Sequence, residues 1–444
     1  MGCCRWFGLG VVLFLYMGCG NPEPGERLTY HSHTKALLDK YCVGCHKEGG
    51  LAPFPMDTYA SFFRVRKASL HAVKHRTMPP WPASQECSNY SHSLALPEHE
   101  RKALLQWIEE GAVEGKAIPR TSVTPSASLA ENLPRVDATL TLPLYQPKKK
   151  PDDYRCFLVK WNQVKDTFIT GFRIHPGNPQ ITHHMAIFLA LPRNKEERAL
   201  YSRLDQEAPG PGYHCFGGPG GRSTLLASWA PGSRVIRYPK GTGLHIPADA
   251  IVIVQMHYST AFVKEPAKAT TIELMLEEQV ERPSTFTGFT NPEWYHQPEK
   301  MLIPAGQALV KHSYSSDFSA SLRKKVTLFG ILPHLHLRGK SIRLSVVRKS
   351  GKQTCLNDVP RWDFNWQFMY FLKQPVVLEP GDRLLLECSW DNSAANQPVL
   401  GGKVSPPKDL GWGENTDEEM CVASLYVSCT LPDGSPTLCL RESR

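Results

Sequence analysis

From about residue 134 onward the chain is a succession of short β-prone runs cut by glycine and proline. That rhythm restricts it to antiparallel sheet architectures. Ala138–Leu142, Ile251–Gln255, Val326–Phe329, Ile342–Val347 and Arg383–Glu387 are rich in branched and aliphatic residues. Turn formers separate them at spacings that suit sandwiches or barrels. At roughly 310 residues the tract is long for one sandwich. A break near Glu281-Arg282-Pro283 divides it into two halves of similar size, 134–281 and 282–444, with no strong sequence repeat between them. The 37 prolines fit a fold made mostly of strands and loops.

Residues 28–115 read differently. Thr34–Tyr41 has helical spacing and runs into Cys42-Val43-Gly44-Cys45-His46, and Ala60–Lys74 is a second helical stretch. A third begins after Leu96-Pro97, with Glu98 and Glu100 in its first turn, an apolar face of Leu104, Leu105, Trp107 and Ile108, and Gly111 at its end. Residues 116–133 hold Pro119, Pro125 and several serines and threonines, as a polar linker does. The expected fold class is therefore mainly β: a small α-helical domain, then a strand-rich tract of antiparallel sandwiches or barrels in two halves.

In a C-x-x-C-H run two thiols can reach the two vinyl groups of a haem, and the adjacent imidazole can bind its iron. Cys42 and Cys45 are the thioether candidates, His46 the proximal ligand, and 28–115 a cytochrome c-like domain with one covalently bound haem c. The sixth ligand chosen is Met78, in Thr77-Met78-Pro79-Pro80-Trp81. Thioether ligation raises the potential, and the prolines would stiffen the loop. Met56 is the alternative, and a merely packed Met78 the bland reading. His71 and His75 read as surface residues, though either could ligate. A zinc or thioredoxin-like role for the motif lacks a second Cys pair and a βαβ context.

The N-terminus reads as an export signal over residues 1–19. Arg5 supplies the positive end, and Trp6–Met17 is apolar but too short to span a bilayer. Tyr16-Met17-Gly18-Cys19 resembles a lipobox, which predicts a periplasmic or outer-membrane-anchored lipoprotein; cleavage with free release is the rival, and the only membrane contact expected is an anchor on Cys19. Of thirteen cysteines, Cys3, Cys4 and Cys19 belong to the signal and Cys42 and Cys45 to the haem motif. The even remainder, Cys87, Cys156, Cys215, Cys355, Cys388, Cys421, Cys429 and Cys439, suggests disulfides, whose pairing counting leaves open. A net charge of +9 over 444 residues is mild, and Lys148-Lys149-Lys150 is the one like-charge block. Nucleic acid is not an expected partner. Gly217–Gly221 lacks the Lys-Ser/Thr of a phosphate loop.

Three histidine motifs remain in the β tract: Thr182-His183-His184-Met185, Gln255-Met256-His257-Tyr258 and Pro333-His334-Leu335-His336, with Glu419-Met420-Cys421 far downstream. His334 and His336, two apart, share one face if they lie in a strand, which suits one metal. His183 and His184 can serve one ion only at a twisted or bulged strand end. His175, His214, His245 and His312 read as ordinary residues.

The landmarks arrive in an order that resembles the copper type II, ascorbate-dependent monooxygenases, which include peptidylglycine and dopamine hydroxylating enzymes. They are Tyr154-Arg155-Cys156, His183-His184-Met185, Ala230-Pro231-Gly232, Tyr238 to Gly241, Gln255 to Tyr258, His334 to His336, Pro380-Gly381-Asp382, Glu387-Cys388 and Glu419-Met420-Cys421. The resemblance covers nearly everything from 134 to 444. The haem motif, Pro333–Lys340 and Asp363–Gln367 are similar to the bacterial branch. The resemblance implies two antiparallel β-sandwich, jelly-roll-like domains and two copper ions, one on each sandwich: His183, His184 and His257 would hold the electron-storing copper, and His334, His336 and Met420 the copper at which oxygen reacts. A thioether favours the reduced, cuprous state. The resemblance also pairs Cys388 with Cys421, and Cys156 with Cys215. Peptidylglycine enzymes carry an Arg two residues before the HxH motif, and Asn and Tyr two and four after the ligand Met, to hold a carboxylate. Here those positions are Leu332, Val422 and Ser424, so a peptide ending in glycine is not expected.

The implied activity is hydroxylation of a C–H bond in a small organic substrate by molecular oxygen. An ascorbate-like reductant or a redox protein would be the electron donor, and the haem the electron inlet. His334, His336 and Met420 would carry the reaction. Two rivals come from other classes. One is electron transfer or copper handling without catalysis. The other is a binding module with zinc at the histidines, against which Met420 argues, since zinc takes Cys, His and carboxylate.

Overall fold

A computed structural model describes residues 27–117 and 132–439, apart from short stretches of which 260–267 is the longest. The export segment and most of the linker lie outside the described residues. The chain is mainly β, with its helices concentrated before residue 110. No described helix is long and apolar enough to cross a membrane.

A π-helical turn at Tyr30–Thr34 leads into α1, Lys35–Tyr41. Helix α2, Tyr59–Lys74, starts at a capping box in which Thr58 and Ser61 satisfy each other's backbone amides. Helix α3, Glu98–Glu109, buries Leu104, Trp107 and Ile108. It stops at Gly111, whose φ of +100° suits glycine. Leu38, Phe62, Val73, Leu104 and Trp107 form one core, with Phe62 and Trp107 stacked 5.0 Å apart.

The chain between α2 and α3 does not stay with this core. It reaches the second half of the β tract and is fixed there. Cys87 is bonded to Cys355, the Ser84 amide donates to the Asp358 carbonyl at 2.8 Å, and Tyr90 pairs with Leu372. Trp81 packs against Phe368 and Tyr370. In return Arg361 donates to the carbonyls of His75 and Arg76 at the end of α2. The helical unit is thus bolted to the second half by one disulfide and a strip of aromatic rings.

The β tract forms two sandwiches that share a sheet. Its strands run in the order 138–141, 271–277, 167–175, 242–246, 282–289, 422–430, 325–334 and 370–378. The first four belong to the first half and the last four to the second. The join is Arg282–Phe289, parallel to Thr242–Ile246 on one side and antiparallel to Val422–Thr430 on the other. A five-stranded sheet holding Asp152–Val159, Thr182–Ala190 and Val252–Ser259 covers the first half. A four-stranded sheet holding Gly339–Val347 and Arg383–Trp390 covers the second. Thr271–Glu277 alternates buried and half-buried residues along its length, as a strand with one face on a core must. Phe157, Ile187 and Val254 pack between the sheets of the first half, and Leu328, Leu344 and Leu386 in the second.

Among the described residues three α-helices interrupt the β tract, Lys195–Glu207, Pro292–His296 and Phe318–Leu322, and the sequence reading expects none of them. Lys195–Glu207 is capped by Asn194, with Glu196 and Glu197 in its first turn and Tyr201 on its buried face. These start signals are legible in the sequence, but a single apolar stripe inside a strand-rich tract gives a weak period.

Candidate metal centre

His183 and His184 lie at the start of strand Thr182–Ala190. The pairing of that strand with Val252–Ser259 slips between Thr182 and His184, so His183 is an extra residue opposite His257. This bulge does what a regular strand would forbid and turns two consecutive imidazoles to one side. The Nδ1 atoms of His183 and His257 each lie 3.2 Å from His184 Nδ1. The three residues offer ligand atoms within 4.8 Å of one another. The outer nitrogens are engaged elsewhere. His257 Nε2–H donates to Asp152 at 2.9 Å and His183 Nε2–H to Asn365 Oδ1 at 3.1 Å. Such partners fix the tautomer and leave Nδ1 as the metal donor on both. Tyr154 stacks flat on His257 at 4.1 Å and limits its rotation. Burial holds His184 well below the ordinary imidazole range, and its histidine neighbours push it further. Burial also lowers His257, against the pull of Asp152. Both therefore stay neutral, the form that binds metal.

His334 ends strand Lys325–His334, and His336 lies just beyond it. The two rings are 5.0 Å apart. His336 is therefore not placed by strand alternation. Its loop is pinned by the carboxylate of Glu419, which accepts the amides of His336 at 3.0 Å and Arg338 at 2.6 Å, and the Trp390 indole N–H at 2.9 Å. Burial pushes the Glu419 carboxyl up to about 7, against those three donors. His334 Nδ1–H donates to Gln367 Oε1 at 2.7 Å and His336 Nδ1–H to the Glu418 carbonyl at 3.2 Å. Those bonds assign Nε2 as the ligand atom on both rings. Burial lowers His334 as well. Next to Met420, Cys421 is bonded to Cys388. Cys156 is bonded to Cys215. Beyond these two pairs the structure adds Cys87 with Cys355 and Cys429 with Cys439.

Both histidine sets open on one cavity of about 1160 Å³, lined by His183, His184, His334 and Met420. The sets are near enough that His334 and His336 contribute to the lowering of His184. Leu332, Val422 and Ser424 line the same space, where Leu332 pairs with Ser424 and His334 with Val422 across adjacent strands. Trp229, Phe286, Phe289, Tyr295, Tyr314 and Phe318 give it aromatic walls. Among the described lining residues Asp317 is the one carboxylate, and none is Lys or Arg. Four histidines of the β tract are held elsewhere: His175 by Glu273, His245 by Asp166, His214 by the Tyr154 carbonyl and His312 by the Leu302 carbonyl. The donor sets fit copper: three imidazoles in one, two imidazoles and a thioether in the other.

In the helical unit, Cys42 to His46 forms one turn closed by amide bonds to the Cys42 carbonyl. Cys42 and Cys45 stand outside the four disulfides. Burial pushes the Cys42 thiol up to about 12, the opposite of the depressed value a thioredoxin-like thiol needs. His46 Nδ1–H donates to the Phe54 carbonyl at 3.1 Å, which leaves Nε2 as its donor atom. These features fit the attachment of a haem. Met56 is buried in the helical core, its amide bonded to the His46 carbonyl at 2.7 Å, with Cys42 packed against the same core. Met78 is half-buried and stands outside that core, at the start of the arm toward the second β half.

Comparison with known proteins agrees with this geometry. Residues 138–265 match the family described as copper type II ascorbate-dependent monooxygenase, N-terminal domain, and residues 294–440 its C-terminal domain. Tyramine beta-hydroxylase of Caenorhabditis briggsae is 21% identical over 95% of this chain and 71% of its own length. Dopamine beta-hydroxylase of Canis lupus familiaris is 24% identical over 57% of this chain and 39% of its own. DBH-like monooxygenase protein 1 of Homo sapiens is 31% identical over 46% of this chain and 32% of its own. The chain thus spans well under half the length of the last two. The two matched domains together take in more than half of the chain and contain both histidine sets and Met420, so this chain belongs to the copper type II ascorbate-dependent monooxygenases.

Proposed function

We propose that this chain binds two coppers, one at His183, His184 and His257 and one at His334, His336 and Met420, and hydroxylates a C–H bond of a small aryl substrate that is uncharged or cationic. The observation that carries the proposal is the single cavity onto which both ligand sets open. Copper there would supply one-electron chemistry and reactivity toward oxygen. One oxygen atom enters the C–H bond, the other leaves as water, and two electrons and two protons balance the reaction. The chain's own residues do the rest. The aromatic lining binds an aryl group and sheds its water. With Leu332, Val422 and Ser424 at the wall, and no Lys or Arg among the described lining residues, nothing there neutralises a carboxylate. The amines in the names of the tyramine and dopamine enzymes are consistent with such a wall. Copper-loaded protein with a reductant should consume oxygen and release hydroxylated product from an arylalkylamine, and leave a peptide ending in glycine unchanged. Absence of oxygen uptake with every reductant would leave the electron-transfer reading standing instead.

The proposal extends to export, with Cys19 as a lipid anchor, and to a haem c on Cys42, Cys45 and His46 that feeds electrons to the copper sites. Its support is the one-turn motif and the disulfide that ties the helical unit to the second β half. Ferrous haem should reoxidise when copper is present. A Cys42→Ala protein that keeps full turnover with its natural donor would exclude this route. Met78 is the proposed sixth ligand. Met78→Ala should remove the methionine–iron charge-transfer band and lower the haem potential. Met56→Ala should keep the band and destabilise the helical unit by about 2–5 kcal/mol, the usual result of truncating a buried methionine. The reverse pattern of spectra would transfer the role to Met56.

A further inference from the structure

The loop 360–369 touches ligands of both histidine sets. It joins strands Gln353–Val359 and Tyr370–Leu378 of the second half. Asn365 crosses to His183 of the first half, and Gln367 stays with His334 of the second. Phe364 lies between them, stacked on His183 at 5.7 Å and edge-on to His336 at 6.3 Å.

The two carboxamides are oriented before they reach a histidine. Asn365 Nδ2 donates to Asp363 Oδ1 at 2.9 Å, and the same oxygen accepts the Asn365 amide at 2.9 Å. The Asn365 carbonyl oxygen is therefore the atom turned to His183. Gln367 Nε2 donates to the Phe364 carbonyl at 2.9 Å, so its carbonyl oxygen is turned to His334. A carbonyl oxygen can only accept, so each histidine must carry its proton on the facing nitrogen. His183 is thereby set to bind through Nδ1 and His334 through Nε2.

We infer that the 363–367 strap selects the ligand atom on one histidine of each copper set and holds the two sets facing each other, with Asn365 and Gln367 as positioning residues. This rests on the copper reading above, but its first consequence can be read without metal. An Asn365 or Gln367 side chain that merely fills space would leave tautomer and site unchanged. The inferred role makes each substitution act on its own copper. Loss of such an outer partner typically weakens metal binding by about 10–100-fold.

The test takes the full chain, with Asn365→Ala, Gln367→Ala and the conservative Gln367→Glu, which keeps an acceptor for His334. Nitrogen-15 spectra of histidine-labelled, metal-free protein should show His183 protonated on Nε2 and His334 on Nδ1. Each alanine variant should give a tautomer mixture at its own histidine alone. With cupric ion added, Asn365→Ala should lose about 10–100-fold in affinity at the His183 set and Gln367→Ala the same at the His334 set. Gln367→Glu should restore the second. Pulsed electron spin resonance should show a broader copper–copper distance distribution in Asn365→Ala. Wild-type tautomers in both alanine variants overturn the inference, whatever copper does. Failure of wild-type protein to bind copper overturns the reading of the sites, while the tautomers still decide the role of the strap.

Discussion

Met420→Ala is expected to end hydroxylation while the His183, His184 and His257 set keeps its copper. Met420 and His334 both line the shared cavity. Its neighbours leave the backbone little freedom to change: Glu419 is fully buried and Cys421 is bonded to Cys388. Truncation therefore removes a thioether without moving the backbone that carried it. Two imidazoles remain at that set, and the donor that favours the cuprous state is gone. The fall in turnover should exceed the roughly 10–100-fold that loss of an outer partner costs, because Met420 is a proposed ligand itself. Metal analysis should give one tightly held copper in place of two. The cupric spectrum that survives should be that of the all-imidazole set. A variant that hydroxylates at the wild-type rate would remove Met420 from the mechanism. A variant in which both coppers are lost would mean that the two sets fold as one unit.

The sheet architecture and the donor residues were legible in the sequence to different depths. The β-rich tract shows in short branched runs, because alternate residues of a half-buried strand must be apolar. His183 and His184 were legible as residue types, and their convergence required a bulge, which a sequence does not announce. The structure supplies it as the slip between Thr182 and His184. His336 was expected to share a strand face with His334. It sits just past the strand end, where the distant Glu419 fixes its backbone. Nothing local to residues 334–336 encodes that contact. The shared sheet is not legible in the sequence, because Arg282–Phe289, which reads as the start of the second half, pairs with strands of both. The arm from α2 to the second half was equally hidden. Cys87 looks in sequence like part of the helical unit, and only the fold pairs it with Cys355, 268 residues away. Asn365 and Gln367 were seen inside a family-like string, without a role. The signal available was a run of carboxamides and aromatics in a loop, and it acquires meaning only when His183 arrives from the other half.

The largest loss of stability is expected from Glu419→Ala. Its carboxylate is fully buried and meets three donors from three places: the His336 amide, the Arg338 amide and the Trp390 indole. Arg338 is itself fully buried, and its guanidinium rests on Gln397 and the Asp417 carbonyl. Alanine leaves those donors unmet and removes a carboxyl group whose field favours the buried Arg338 cation. Leaving a buried donor unsatisfied costs about 1–3 kcal/mol, and three are left here. Glu419→Gln separates charge from shape. Its one carbonyl oxygen can still accept, but its NH₂ now meets an N–H where an oxygen stood, at a cost of about 1–3 kcal/mol. Urea unfolding of metal-free protein should therefore rank wild type above Gln and Gln above Ala. Copper titration should show the His334 set weakened in the same order, because the His336 loop has lost its pin. The two substitutions at adjacent positions thus have opposite signatures. Met420→Ala removes chemistry and spares the fold, whereas Glu419→Ala removes the fold of the loop and the chemistry follows. If Glu419→Ala unfolds like wild type, the carboxylate is not what holds the HxH loop, and the position of His336 must come from Trp362, whose indole N–H donates to the His336 carbonyl at 3.1 Å.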